Sequence, residues 1–266
     1  MKDGFLRVAA ATPDVSVADI AHNVTNIIAR IKEANSRDAK VVVFPELCMT
    51  GYTCNDLFLQ ELLLDKICDG LKEILAASIA TDMLIVEETA EGDAILFVGL
   101  PLAYNGKLYN VAAVIHEGKI LGIVPKQHIP NYSEFYEARH FTTPGKGYER
   151  ITLTALGDAG KDIPFGTNLL FQADNMTEFI LGIDICEDLW MPIPPSCEHA
   201  LVGATVIANL SASDETTGKD IYRRELVRNQ SARLVSGYIY ADAGEGESST
   251  DLVFVGHNII SENGTI

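Results

Sequence analysis

The chain has 266 residues, 47% hydrophobic and 21% charged, a composition ordinary for a soluble globular enzyme. Asp and Glu total 37 against 20 Lys and Arg, a formal charge of −17, which argues against nucleic acid and anionic membranes as partners. No apolar run reaches membrane-spanning length and the N-terminal stretch is too short in apolar residues for a signal peptide, so neither is expected.

Phe5 to Ala11 reads as a short buried strand ended by Thr12-Pro13. Ser16 is the expected N-cap of a first helix, with Asp19 three residues on in a capping-box arrangement. Ile20, Val24, Ile27, Ile28 and Ile31 then recur at helical spacing. Val41 to Phe44 is a continuous β-branched and aromatic run, suited to a strand buried on both faces. A second helix is expected from Asp56 to Ala77. Ile95 to Leu100 reads as a strand, which Asn105-Gly106 turns into Leu108 to His116, and Glu117-Gly118 turns that into Lys119 to Val124. Phe179 to Ile185, Thr205 to Asn209, Tyr238 to Ala241 and Leu252 to Ser261 are further strands, with a helix from Asp220 to Ser236.

Hairpins mixed with helical crossovers predict an α/β sandwich of two mixed sheets, each layered by helices on one side, in one domain over 1–266. Glu262-Asn-Gly264 announces another hairpin turn with only Thr265 and Ile266 after it, so the sequence reads as an excised domain truncated at its C-terminal end. Arg223, Arg224, Arg228 and Arg233 fall at helical spacing and read as a salt-bridged or interface helix face rather than a nucleic-acid stripe. The five cysteines, Cys48, Cys54, Cys68, Cys186 and Cys197, are odd in number and irregular in spacing, with no CxxC pair. Neither a disulfide framework nor a metal site is expected, and a reducing cytoplasm is the natural compartment.

Three reactive residues emerge from the ends of apolar runs, where α/β folds place functional groups: Glu46, Lys126 and Cys186. Taken singly, each has a plain reading. A cysteine after a strand is usually a small buried hydrophobe, a glutamate there caps a helix, and a lysine there is a solvated turn residue. Cys186, however, is flanked by Asp184, Glu187 and Asp188, which disfavour a thiolate. A reactive thiol there needs a base for its proton and a cation for developing charge, and Glu46 and Lys126 are candidates for those two tasks.

Phe44-Pro-Glu46, Pro125-Lys126 and Asp184-Ile-Cys186-Glu-Asp resemble the Glu–Lys–Cys signatures of the nitrilase superfamily of carbon–nitrogen hydrolases. Within it, Pro45 to Phe58, Lys126 to Glu137, Cys186 to Trp190, Asn209 to Ser213 and Gly246 to Phe254 are similar to the glutaminase domain of the glutamine-dependent NAD+ synthetase family. The resemblance implies a nitrilase-like αββα sandwich, paired sheet-to-sheet with a second copy in relatives. It also implies that Glu46 is the general base, Cys186 the nucleophile on the glutamine amide, and Lys126 with the Glu187 N–H the oxyanion donors. The superfamily's second glutamate maps to Glu137, with Glu134 as the weaker candidate. Tyr52, Tyr132, Glu187 and Ser213 are the implied substrate contacts. Lys219 stands where some relatives carry an arginine and cannot fork onto a carboxylate as arginine does. No cofactor is implied for this domain. No Ser-Gly-Gly-type nucleotide loop occurs in the sequence, so ATP and Mg2+ are expected only of a synthetase domain absent from this chain, which would be the partner receiving ammonia. Two alternatives stay open: a stand-alone amidase or carbamoylase acting on another small amide, and a catalytically silent interaction or regulatory module.

Overall fold

The structure, a computed structural model, describes residues 4–79, 94–145, 147–248 and 251–266. Two mixed sheets carry the chain. The first contains β1 (Val8–Ala10), β2 (Val41–Val43), β3 (Ile95–Tyr104), β4 (Lys107–His116), β5 (Lys119–Pro125), β6 (Tyr148–Ile151) and β7 (Ile163–Gly166), in the order β1-β2-β3-β4-β5-β7-β6. The second contains β8 (Phe171–Ala173), β9 (Met176–Ile185), β10 (Val206–Ser211), β11 (Gly237–Asp242) and β12 (Ile259–Glu262), in the order β12-β11-β10-β9-β8. Parallel pairs (β1 with β2, β9 with β10, β10 with β11) stand beside the antiparallel ladder of β3, β4 and β5.

Strand parity sorts the apolar residues into three layers, because successive side chains point to opposite faces. Val41, Val43, Phe97, Ala112, Val114 and Val124 of the first sheet meet Leu181, Ile183, Ile185, Ala208, Leu210, Ile239 and Ala241 of the second. The intervening Val42, Leu96, Val98 and Ala113 face away, onto α1 (Ile20–Ser36) and α2 (Glu61–Ala77). Ile207, Tyr238 and Tyr240 do the same on the second sheet, toward α3 (Pro195–Leu201) and α4 (Lys219–Leu234). The result is the expected helix–sheet–sheet–helix sandwich, and it explains why Val41–Val43 is apolar at every position.

Several element boundaries differ from expectation. Asp19, not Ser16, caps α1, its carboxylate accepting from His22 N at 3.1 Å. Ser16 is held outside the helix by buried Asn23, whose amide bonds both its main-chain N (2.7 Å) and O (3.0 Å). The second helix begins at Glu61, because Asn55 at φ 51, ψ −133 breaks the preceding segment into 3-10 turns. The first strand narrows to Val8–Ala10, and of the run from Leu252 only the end pairs, as β12. Short β6, β7, β8 and α3 were not legible: β7 contains Pro164, β8 has three residues, and α3 starts on Pro195. The Asn263-Gly264 turn is present, both residues at positive φ, with Glu262 and Thr265 exchanging main-chain bonds of 2.8 and 2.9 Å. Ser249 and Thr250 of the fifth resembling block lie outside the described residues.

Candidate active site

Glu46 leaves β2 on a tight turn, with Leu47 at φ 52. The turn lies against Gly99 of β3, where a Cβ would stand 2.5 Å from both Pro45 O and Leu47 N. Only glycine admits that approach. Lys126 continues β5, its N–H donating to Asn110 O at 2.8 Å, and shares the parity of Val124, so its side chain enters the layer between the sheets. Glu137 sits on a short 3-10 turn (Glu137–Arg139) and is buried.

These side chains form one cluster. Lys126 Nζ donates to Glu46 Oε1 at 2.5 Å and to Glu137 Oε1 at 2.7 Å. Asn110 Nδ2 donates to the same Glu46 Oε1 at 2.6 Å, and Ala212 N donates to Glu46 Oε2 at 3.2 Å. Tyr52 OH donates to Glu137 Oε1 at 2.9 Å. Lys126 is fully buried, and burial alone would lower its pKa, but the Glu137 and Glu46 carboxylates outweigh this and hold it well above the ordinary lysine value. Burial pushes Glu137 the other way, up to about 7, against the pull of Lys126.

Cys186 comes from the second sheet. It follows β9 and opens the 3-10 turn Cys186–Trp190 at φ 44, a left-handed conformation costly for a residue with a side chain. Asp188 pins the turn: its Oδ2 accepts from Ile185 N at 3.0 Å, and its Oδ1 accepts from His128 N at 2.9 Å beside His128 Nδ1 at 2.8 Å. The loop after Lys126 is thereby tied to the loop carrying Cys186. Burial first, and the Glu46 carboxylate second, raise the Cys186 thiol well above its ordinary value, against Lys126 and a hydrogen bond with Ser211. The flanking carboxylates are not the cause expected from sequence. Asp184 points to the opposite face of β9 and accepts from Ser196 N (2.9 Å) and Tyr238 OH (2.8 Å). Burial also pushes Cys48 and Cys54 up to about 12, so what distinguishes Cys186 is the lysine–carboxylate pair beside it rather than its environment's polarity.

Of the remaining candidates, Ser213 is buried and the others reach the surface to different degrees. Exposed Tyr132 donates to both oxygens of Glu187, at 3.0 and 3.1 Å. Phe135 packs edge-on against Tyr132 and Tyr52. Lys219 pairs with buried Asp214 and lies over the rings of Phe135 (5.7 Å) and Trp190 (5.5 Å). Ser213 Oγ accepts from Arg223 Nη2 at 3.3 Å. Glu134 takes no part in the Lys126 cluster; its hydrogen bond from Ser133 lowers its pKa. Among the described residues no group of three or more His, Cys, Asp or Glu is placed to hold a metal ion. Of the predicted basic face, Arg223 turns inward to Glu215 (3.0 Å), while Arg228 pairs with Glu225 (2.6 Å) on the surface.

Three participants escaped the sequence reading. Asn110 had a signal, a lone amide in the otherwise apolar run Leu108 to Ile115. Glu247, which accepts from the main-chain N–H groups of Tyr52 and Thr53, lay in the fifth resembling block without a role of its own, and Arg223 was read only as part of a salt-bridged helix face.

Residues 7–265 match the family model described as carbon-nitrogen hydrolase. A glutamine-dependent NAD(+) synthetase of Mycobacterium tuberculosis is 44% identical over 263 residues, covering 99% of this chain and 36% of that protein. The crystal structure of a glutamine-dependent NAD(+) synthetase from Cytophaga hutchinsonii superposes with a TM-score of 0.79 at 28% identity, over 96% of this chain and 38% of its own. The chain thus spans little more than a third of these relatives. A Nesterenkonia amidase, 15% identical, shares the fold with a TM-score of 0.72.

Proposed function

The chain belongs to the carbon-nitrogen hydrolase family, and on that footing we propose that it hydrolyses the side-chain amide of glutamine through a Cys186 thioester. The observation that carries this reading is the buried Glu46–Lys126–Glu137 cluster, two of its members at strand ends of one sheet, meeting a strained cysteine turn from the other. The thiol's raised pKa means that it does not wait as a thiolate. Glu46 takes its proton as sulfur attacks the amide carbon, and Lys126 with the Glu187 N–H receives the charge that grows on the carbonyl oxygen. The tetrahedral intermediate expels ammonia, which takes up the proton held by Glu46. Water, deprotonated by Glu46, then splits the γ-glutamyl thioester to glutamate and restores the thiol.

Tyr52, Tyr132, Glu187, Ser213 and Lys219 hold the glutamine backbone in this reading, with Lys219 as a point charge for its α-carboxylate. The 1–266 unit acts as a glutaminase domain that hands ammonia to a synthetase portion outside this chain. It needs no cofactor of its own, ATP and Mg2+ belonging to that portion, and it works as a homo-oligomer in the cytoplasm. No helix among the described residues is long and apolar enough to cross a membrane.

Incubation with 6-diazo-5-oxo-norleucine, followed by intact-mass spectrometry and peptide mapping, tests the proposal. One adduct, on Cys186, slowed by glutamine and absent from Cys186→Ala, is expected. An adduct slowed equally by unrelated small amides would move the substrate away from glutamine, and labelling of another cysteine would remove Cys186 as nucleophile.

A further inference from the structure

Asn110 is fully buried in the middle of the first sheet, on the face of β4 that Ala112 and Val114 turn toward the second sheet. Valine or alanine would suit such a position. Asn110 instead places its Nδ2 2.6 Å from Glu46 Oε1 and 3.5 Å from Glu137 Oε2. Both neighbours are carboxylate oxygens, which accept, so the amide must turn its donors to them, and its Oδ1 is left buried with no partner among the described residues. A buried acceptor left unmet within a strand is a local rule broken, and such breaks collect at working sites.

Glu46 Oε1 already receives Lys126 Nζ at 2.5 Å, so the Asn110 bond completes the occupation of that oxygen. Among the described residues Oε2 carries only the bond from Ala212 N, next to Ser211, the residue whose side chain bonds the Cys186 thiol. We propose that Asn110 is a positioning residue that saturates Oε1 of Glu46 and so commits Oε2, in its ionised form, to taking the Cys186 proton. It also separates the two carboxylates that share Lys126 by favouring Glu46, at 2.6 Å, over Glu137, at 3.5 Å. The main-chain bond from Lys126 N to Asn110 O is independent of the side chain and survives its replacement.

The inference rests on Glu46 acting as base to Cys186. The charged and titratable groups that face Glu46 are Lys126, Glu137, Cys186, Tyr52, Glu187 and Glu247, and none of these is altered in the test. The rate of Cys186 alkylation by iodoacetamide, read by peptide mapping, is followed against pH in the wild-type chain and in Glu46→Gln, Asn110→Ala, Asn110→Leu and Asn110→Asp. Removing a donor from a carboxylate disfavours its charged form, so the acid limb is expected to move up by about one pH unit in Asn110→Ala. Asn110→Leu keeps the shape without the donor and is expected to match it, which preserves the test should the alanine cavity unfold β4. Asn110→Asp adds a charge and is expected to move the limb further. If Glu46→Gln alkylates as wild type does, the base assignment itself fails. If Glu46→Gln loses the limb while folded Asn110→Ala or Asn110→Leu keeps it at the wild-type pH, the role given to Asn110 is wrong.

Discussion

A single ammonium group holds the candidate site together. Lys126 is bonded to two carboxylates in a space closed to water, and both oppose the burial that would strip its charge. Replacing it removes a cation from between two acids as well as the proposed oxyanion donor. Lys126→Met is therefore expected to lower kcat by about 10²–10³, the worth of one such donor, and to leave glutamine binding less affected; a loss under tenfold, measured by glutamate release, would refute its role. At this scale the sequence was legible where chemistry stands at the end of an apolar run. Glu46, Lys126 and Cys186 were visible in that way. Asn110 and Glu247 were not, because an amide inside a strand and a glutamate in a loop take their meaning from what folds against them: Glu46 and Glu137 in one case, the Tyr52 turn in the other.

At the scale of elements, the site is placed by strand ends and by one missing side chain. β3 passes the Glu46 turn at Gly99 so closely that a methyl group would overlap backbone on three sides. Gly99→Ala is expected to cost about 1–3 kcal/mol of stability by overpacking. It should also cost activity out of proportion, on the order of 10²-fold for a displacement near 1 Å. A variant that melts early yet turns over normally would show that the turn tolerates the shift. The long periodic helices and the β3–β4–β5 meander were readable because their hairpin turns and apolar periods extend over many residues. The pieces that were not readable, β6 to β8 and α3, are too short to establish a period, and tertiary pairing alone defines them. The Ser16 cap failed for a related reason: Asn23, seven residues further on, claimed its backbone first.

For the whole molecule, burial has left acids in places that oppose their charge. Asp184, Asp242 and Glu247 are each pushed up to about 7, in every case first by burial. A carboxyl whose folded pKa lies above its unfolded value binds more protons when folded, so it contributes stability at low pH and loses it as pH rises through about 7. Thermal stability is expected to rise as pH falls from 8 toward 5, with a shallower slope in Asp184→Asn; an unchanged slope would show that Asp184 ionises freely in the fold. The net charge of −17 adds to the wild-type slope in the same direction, and the comparison with the variant cancels it. The two-sheet origin of the site carries a different consequence. The proposed nucleophile and base hang from opposite sheets, and the apolar layer of Val43, Phe97, Val114, Ile183 and Leu210 is the spacer between them. Interiors are packed like crystals, and their dimensions are set by side-chain volume. That spacer is accordingly a gauge for the reacting atoms. A methyl group lost well below the mouth changes the stroke over which the proton must travel, and warming that swells the layer would slow the reaction while every strand is still in place.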